Sequence, residues 1–407
     1  MTVFSVQRFM FSFKPSYISV SAFLVFLTLQ ACKTDEKSKS EVLALSESKP
    51  MTPNVGLTNP DTFDCRTLDF GIYWYGKDNR AEKSVLGKAN PFYAKDRPTV
   101  IYIHGWQKDA YKVGHRENFL FTDPTTQATQ DLAAAWIDAG WNIGIFYWSQ
   151  FADETEVKAA EEKIWAGDEE PLKWRRCDGT LTSEGAPKGS VARVFSRAFG
   201  EALADFEGPS LRIVGHSLGT EVAAHGTKII VDAIDSGKLS KSLLPKRVAQ
   251  LDPYWSAENK SKVWNGATVR GIIEATKSKG LIWEMYKTSS LLSFNADLNI
   301  PLVKSIGFTS YIAEFVGQDE NYLVKQGLRH VWAPKLYFMS FQFAPPRVCP
   351  TKDASSCQQI ARSAATSDAD TRCLMDAAVV HRQLEGKKTP TTSDDTFEEI
   401  VMPFVTR

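Results

Sequence analysis

Hydrophobic positions fall into two regimes along this chain. The first is the short apolar run. Leu68–Tyr75, Pro98–His104, Trp141–Trp148, Leu211–Val214, Lys246–Leu251 and Leu281–Lys287 are of this kind, and Thr268–Ala275 and Val331–Phe341 read the same way. Val100, Ile101, Tyr102 and Ile103 are apolar without a break. That is the pattern of a strand covered on both faces, as in a parallel sheet. The second regime has helical spacing: Thr155–Trp165, Val191–Phe206 and the small-residue stretch after Ser217. Asp123–Gly140 joins it, with Asp123 as cap, Pro124 at the first position and Gly140 as stop. Ala166–Ser190 is polar and holds Gly179, Gly185, Pro187 and Gly189, so it reads as a long loop of the kind that sets access to a site. Strands alternating with helices predict an α/β domain with a largely parallel sheet.

The sharpest chemical signal lies in Leu211–Gly226, LRIVGHSLGTEVAAHG. An apolar run meets Gly215-His216-Ser217-Leu218-Gly219, and a helical pattern with Ala223, Ala224 and Gly226 follows. Strand, sharp turn and helix are the setting of a nucleophile elbow. Such a turn strains the backbone of Ser217 and requires small neighbours, which Gly215 and Gly219 supply. The blander alternative is a glycine-rich turn in which Ser217 caps a helix. An elbow demands a base, an acid and an oxyanion hole from elsewhere in the chain.

Asp252 ends the strand Lys246–Leu251 and precedes Pro253. A carboxylate there would orient a base imidazole and stabilise its charged form. An ordinary Asp-Pro turn is the alternative, and Glu274 and Glu284 are rival acids. Only His330 and His381 lie beyond Asp252. His381 sits in a helical-looking, cysteine-bearing tail and reads as a surface residue, which leaves His330 as base in the order Ser, acid, His. A partly buried structural role for His330 is the competing reading. His216 is expected to point away from the site, and His104 to buttress the oxyanion loop. The amides of Leu218 and Trp106 are the candidate oxyanion donors. His104, Ser217 and Asp252 all fall at carboxyl ends of expected strands, where open α/β sheets gather their chemistry.

Together these pieces resemble the lipases of the pancreatic, lipoprotein lipase and phospholipase A1 type. The resemblance rests on GHSLG with its preceding strand, on His104-Gly105-Trp106, on Leu251-Asp252-Pro253, and on His330 followed by Tyr337 and Ser340. It spans about residues 65–345. It implies an α/β-hydrolase fold and a serine hydrolase of acyl esters. The catalytic residues would be Ser217, Asp252 and His330, with Trp106 and Leu218 at the oxyanion and no cofactor or metal. Departures are visible. Leu328 stands where the family has cysteine, Tyr254-Trp255 replaces a small-residue turn, and an Asp-rich loop tied to calcium in some members has no clear counterpart. The residues after 345 leave no room for that family's C-terminal β-sandwich.

Composition narrows the partners. The chain has 407 residues, 43% hydrophobic and 24% charged, an ordinary globular balance. Lys plus Arg and Asp plus Glu both number 48, so no charge excess points to nucleic acid. Arg8 and Lys14 are the only charges before Lys33, and Tyr17–Leu29 has the length of a signal-peptide core. Leu29-Gln30-Ala31-Cys32 resembles the lipobox of bacterial lipoproteins, with Gln30 where a small residue is usual. This implies lipidation at Cys32 and a membrane partner through that anchor. By analogy with sorting in enteric bacteria, Lys33 favours the outer membrane. An ordinary secretory signal is the alternative. The expected organisation is 1–31 signal, 32–61 flexible tether, 62–345 catalytic domain and 346–407 a cysteine-containing tail. Among the later cysteines, Cys65 with Cys177 and Cys349 with Cys357 are the pairs to try first, and Cys373 is the odd one.

The leading expectation is therefore an exported, lipid-anchored serine hydrolase acting on acyl or lipid esters. A carboxylesterase or thioesterase for small soluble substrates, and a binding module on an inactive hydrolase fold, are the alternatives.

Overall fold

In a computed structural model of the chain, residues 61–122, 127–255, 266–289, 306–310 and 320–343 are described, together with 347–348, 360–361, 363–376, 380–385 and 396–400. The signal and tether with Cys32, the Asp123–Pro124 start of a helix, and Cys349 with Cys357 lie outside these residues.

One ten-stranded sheet organises the chain. In chain order its strands are β1 Gly71–Tyr75, β2 Ala81–Lys83, β3 Thr99–Ile103, β4 Asn142–Tyr147 and β5 Leu211–His216. They continue as β6 Arg247–Leu251, β7 Ile282–Lys287, β8 Gly307–Ser310, β9 Val380–Glu385 and β10 Thr396–Ile400. The spatial order is β10-β9-β8-β7-β6-β5-β3-β4-β1-β2. From β4 through β9 neighbours run parallel, and the pairs at the two edges are antiparallel. The longer helices are α1 Val157–Ile164, α2 Val191–Ala202, α3 Gly219–Asp235, α4 Gly266–Lys277, α5 Tyr322–Met339 and α6 Asp368–Asp376. The chain is thus an α/β protein built on a mostly parallel sheet.

The period-2 alternation of strand side chains splits the core in two. Ile72, Trp74, Ile101, Ile103, Ile213, Val248 and Trp283 share one cluster with α2, α3 and α4. Tyr73, Tyr75, Val100, Tyr102, Val214, Ala249, Leu251 and Tyr286 face the other way, against Trp332–Met339 of α5. Central strands covered on both sides are why β3, β5 and β6 read as unbroken burial.

Several expectations are corrected. Thr268–Ala275 is helix, inside α4, with Val269, Ile272 and Ile273 buried at helical spacing. Val331–Phe341 is not a last strand, because α5 runs from Tyr322 to Met339 and carries His330 in its middle. Its second half is buried nearly all round, and a helix buried all round loses the polar stripe that marks its period. Asn321 caps this helix by accepting from the Val324 amide at 3.2 Å. Among the described residues of the expected helix Asp123–Gly140, only Ala134–Asp138 is α-helix, and a short hairpin of Leu120–Thr122 with Thr129–Asp131 precedes it.

The boundary after residue 345 also does not hold. Strands β9 and β10 extend the same sheet, β9 pairing parallel with β8. The segment 363–368 is held by buried arginines of the central strands. Arg247 on β6 donates to Thr366 O at 2.6 Å and Ser363 O at 3.1 Å. Arg212 on β5 donates to Ala364 O at 2.6 Å. Arg247 also grips Glu284 of β7 with two bonds, at 2.7 and 2.8 Å. The arginines sit on strands and the carbonyls far along the chain, so no local pattern reveals the clamp.

At the opposite end Cys65 and Cys177 form a disulfide, as paired from the sequence. It ties the start of the domain to the long loop, which itself forms a small ribbon of Trp174–Arg175 with Leu181–Thr182. Cys373 is free and exposed. Among the described residues no helix is long and apolar enough to cross a membrane.

Candidate active site

Sheet register brings the chemistry to one level. Ile103 of β3 pairs with Gly215 of β5, His216 with Leu251 of β6, and Leu251 with Tyr286 of β7. One step on, His104 lies level with His216, while Ser217, Asp252 and Lys287 follow as neighbours at the same edge. The ladder continues past the strand ends. Ser217 N donates to Leu251 O at 3.1 Å, and Asp252 N to Tyr286 O at 2.6 Å.

Ser217 adopts φ 54°, the left-handed region, between β5 and α3. Strain of that kind persists only where the surroundings impose it. The glycines explain how. A Cβ on Gly215 would meet Gly219 O at 2.4 Å, and one on Gly219 would meet Ile103 O at 2.2 Å. Gly105 lies against the serine itself, since a Cβ there would sit 2.7 Å from Ser217 Cβ and 3.3 Å from its Oγ. The His104-Gly105-Trp106 loop and the elbow are therefore packed backbone to side chain. Leu218 follows at the head of α3, fully buried. Trp106 is anchored by its indole, which donates to Glu154 O at 2.8 Å.

His104 buttresses this loop. Its Nδ1–H donates to Gly105 O at 2.9 Å, while Nε2 accepts from Trp148 N at 3.2 Å and lies 3.1 Å from Ser149 Oγ. An imidazole that must accept at one nitrogen is neutral, and burial pushes His104 down to about 4.

The candidate acid is more heavily held than the sequence suggested. Asp252 is fully buried, and its φ is 37° although it precedes a proline, a position that favours extended backbone. Oδ1 accepts from Lys287 Nζ at 2.6 Å, Thr288 N at 3.1 Å and Ser289 N at 3.2 Å. Oδ2 accepts from Ser289 Oγ at 2.5 Å and lies 2.5 Å from His330 Nδ1. Burial alone would raise this carboxyl. The Lys287 charge and the bond to His330 outweigh it and hold Asp252 well below the usual carboxylate range.

His330 is buried in α5, four residues before Pro334. Proline has no N–H, so the helical bond from residue 334 to the His330 carbonyl cannot form. His216 fills that role instead, with Nε2 donating to His330 O at 3.0 Å. Their rings lie 4.7 Å apart. His216 thus does not point away from the site, as expected, but packs on the candidate base. The elbow's turn leaves β5 with His216 facing α5. Burial first, and then His330, push His216 down to about 4. Further along the same helix, Tyr337 donates to Glu284 at 3.3 Å, and Ser340 Oγ accepts from Ala364 N at 3.0 Å.

The rival groups are engaged elsewhere. Glu284 is the partner of Arg247, Glu274 is exposed on α4, and His381 sits on β9 opposite Thr309 of β8. Sequence reasoning missed Lys287, Ser289 and Pro334. Lys287 left one signal: a lysine at the carboxyl end of a strand that is mostly apolar but for Glu284.

No family model matches the chain, and no curated protein matches it. Among solved structures, a poly(3-hydroxybutyrate) depolymerase from Bordetella parapertussis aligns over 59% of this chain and 67% of its own, with 10% identity and a TM-score of 0.26. An overlap that loose carries no weight for activity. The functional reading rests on the topology and the side chains above.

Proposed function

We propose that this chain is a serine hydrolase of carboxylic esters, with an α/β-hydrolase fold and lipid esters as its leading substrate class. One observation carries the reading: Asp252 Oδ2 lies 2.5 Å from His330 Nδ1, beside a serine held at φ 54° in a strand–turn–helix. The resemblance to pancreatic-type lipases supports the same assignment of Ser217, Asp252 and His330.

In this reading Ser217 Oγ attacks the ester carbonyl and its proton passes to His330 Nε2. Asp252 fixes the ring so that Nδ1 keeps its hydrogen, and it stabilises the imidazolium. The oxyanion is held by the amides of Leu218 and Trp106. The alcohol leaves with the proton from His330. Water, deprotonated by His330, then attacks the acyl-enzyme and releases Ser217 with its proton.

Lipid esters are favoured because α5, the helix of the base, also exposes large apolar side chains. Leu323 and Val331, eight residues apart and so on one face, are 54% and 42% exposed, and the adjacent Tyr322 is 59% exposed. Export is supported by the Cys65–Cys177 disulfide, a bond rare in reducing compartments. Anchoring through Cys32 belongs to the same proposal and rests on the sequence.

The test is hydrolysis of p-nitrophenyl esters of increasing acyl length by wild type and Ser217→Ala. Serine-dependent turnover that rises towards long, aggregated substrates supports the lipid reading. Turnover confined to short soluble esters replaces it with a carboxylesterase. A folded protein without turnover overturns the hydrolase reading and leaves a binding module.

A further inference from the structure

The Ser217–Asp252–His330 reading uses one face of the Asp252 carboxylate. The other face is occupied by a charge with no part in the scheme. Lys287, the last residue of β7, is buried, with its side chain 3% exposed. Its ammonium lies 2.6 Å from Asp252 Oδ1 and donates to Ser289 Oγ at 3.3 Å. A long cationic side chain is driven into the protein interior only at considerable cost in solvation, unless it meets an opposite charge there. Asp252 is that charge.

We propose that Lys287 is a positioning residue that sets the working pH range of the site by neutralising Asp252 behind His330. This rests on the assignment of His330 as base. The physical argument is one of charge count. Without Lys287, an ionised Asp252 facing His330 would present a full negative charge to the ring and favour its imidazolium. With Lys287 on Oδ1, the carboxylate and ammonium together are nearly neutral, so protonation of His330 is opposed by a nearby cation. The carboxylate still orients the ring through Oδ2. Orientation is thus kept while the negative charge facing the ring is offset.

Other groups around His330 do not replace this control. His216 packs on its ring from β5 but is itself held neutral by burial. Glu117 acts on His216, and its carboxylate is engaged by Tyr102 at 2.7 Å and Gln107 at 3.1 Å. Asp252 comes from the end of β6 and Lys287 from β7. On its own helix, Arg329 precedes His330 and Lys335 follows it, with Lys335 over the Phe121 ring at 5.2 Å. Lys287 is the cation that shares a carboxylate with His330.

The test compares kcat/KM against pH for wild type, Lys287→Gln and Lys287→Arg on one soluble ester, with Ser217→Ala as control. Lys287→Gln keeps a hydrogen-bond donor near Oδ1 and removes the charge. Its acid limb is expected to move to higher pH by about one unit, while Lys287→Arg stays near wild type. Should Lys287→Gln fail to fold, the acid limbs of wild type and Lys287→Arg are read at low and high salt: limbs that ignore salt in both proteins support a buried, unscreened charge, and a strong shift overturns it. A Lys287→Gln profile that is scaled down uniformly, with its limb unmoved, overturns the proposal and leaves Lys287 a structural residue. Turnover that survives in Ser217→Ala would instead sink the underlying assignment, whatever Lys287 does.

Discussion

The proposed nucleophile side and the proposed acid–base side of this site are built in opposite ways. Ser217, Leu218, Gly215 and Gly219 come from one contiguous stretch, and only Gly105 and Trp106 join them from β3. Its geometry is fixed by what is missing, namely Cβ atoms. The acid–base side is assembled from Asp252, Lys287 and His330, whose contacts span 35 and 78 residues. Its geometry is fixed by charge and hydrogen bonds at buried positions. A steric device of small residues can be read locally, whereas a network of distant polar partners cannot.

The largest effect should come from the nucleophile. Ser217→Ala is expected to lower ester turnover by roughly 1,000-fold or more, with a urea midpoint close to wild type. A large loss of stability instead would mean that the turn depends on the hydroxyl and not on its glycines.

This contrast also decides what the sequence disclosed. The strand–turn–helix, the strands β3 to β7 and the Cys65–Cys177 pair were legible because each shows itself in a local pattern or a short arithmetic of cysteines. His330 and Asp252 were singled out through a family's residue order and a strand end, and the structure brings their side chains into contact. The helix under His330 was misread as a strand because Trp332, Ala333 and Leu336 to Met339 are all buried, leaving no polar stripe. The docking of residues 363–368 was invisible, since its partners are backbone carbonyls and any sequence supplies those.

The distant network should be the fragile half for stability. Arg247→Met strands Glu284 as a buried uncompensated charge and releases the Thr366 and Ser363 carbonyls. A loss of about 3–5 kcal/mol is expected in urea unfolding. Combining it with Glu284→Leu should recover part of that loss. No recovery would show that the carbonyl clamp, and not the ion pair, dominates.

Acid should weaken both halves through His104 and His216. Each is neutral in the fold and pushed down to about 4, against a reference of 6.5. The unfolded chain therefore binds more protons below pH 6.5. Stability from these groups is complete above 6.5, falls as pH drops towards 4, and levels off below that. The two together predict a slope of about 2 to 3 kcal/mol per pH unit in the middle of that window. Denaturant titrations at several pH values read it directly. A flat profile across the window would mean that both rings are already charged in the fold, and half the slope that one of them is.

The smallest expected effect joins the two halves. His216→Phe removes the donor to the His330 carbonyl and should lower kcat by about 10-fold, the worth of one buried hydrogen bond. Pro334→Ala restores an N–H that can reach the same carbonyl along the helix. The double variant should regain part of the lost kcat. Additive losses would separate His216 from the placement of His330.

The most direct measurement is to react the folded protein with a fluorophosphonate and map the adduct by mass spectrometry, beside Ser217→Ala and His330→Ala. The account predicts one adduct on Ser217, absent in Ser217→Ala and much slower to form in His330→Ala. A protein that stays unlabelled, or labels at another serine at an equal rate in all three, would contradict it.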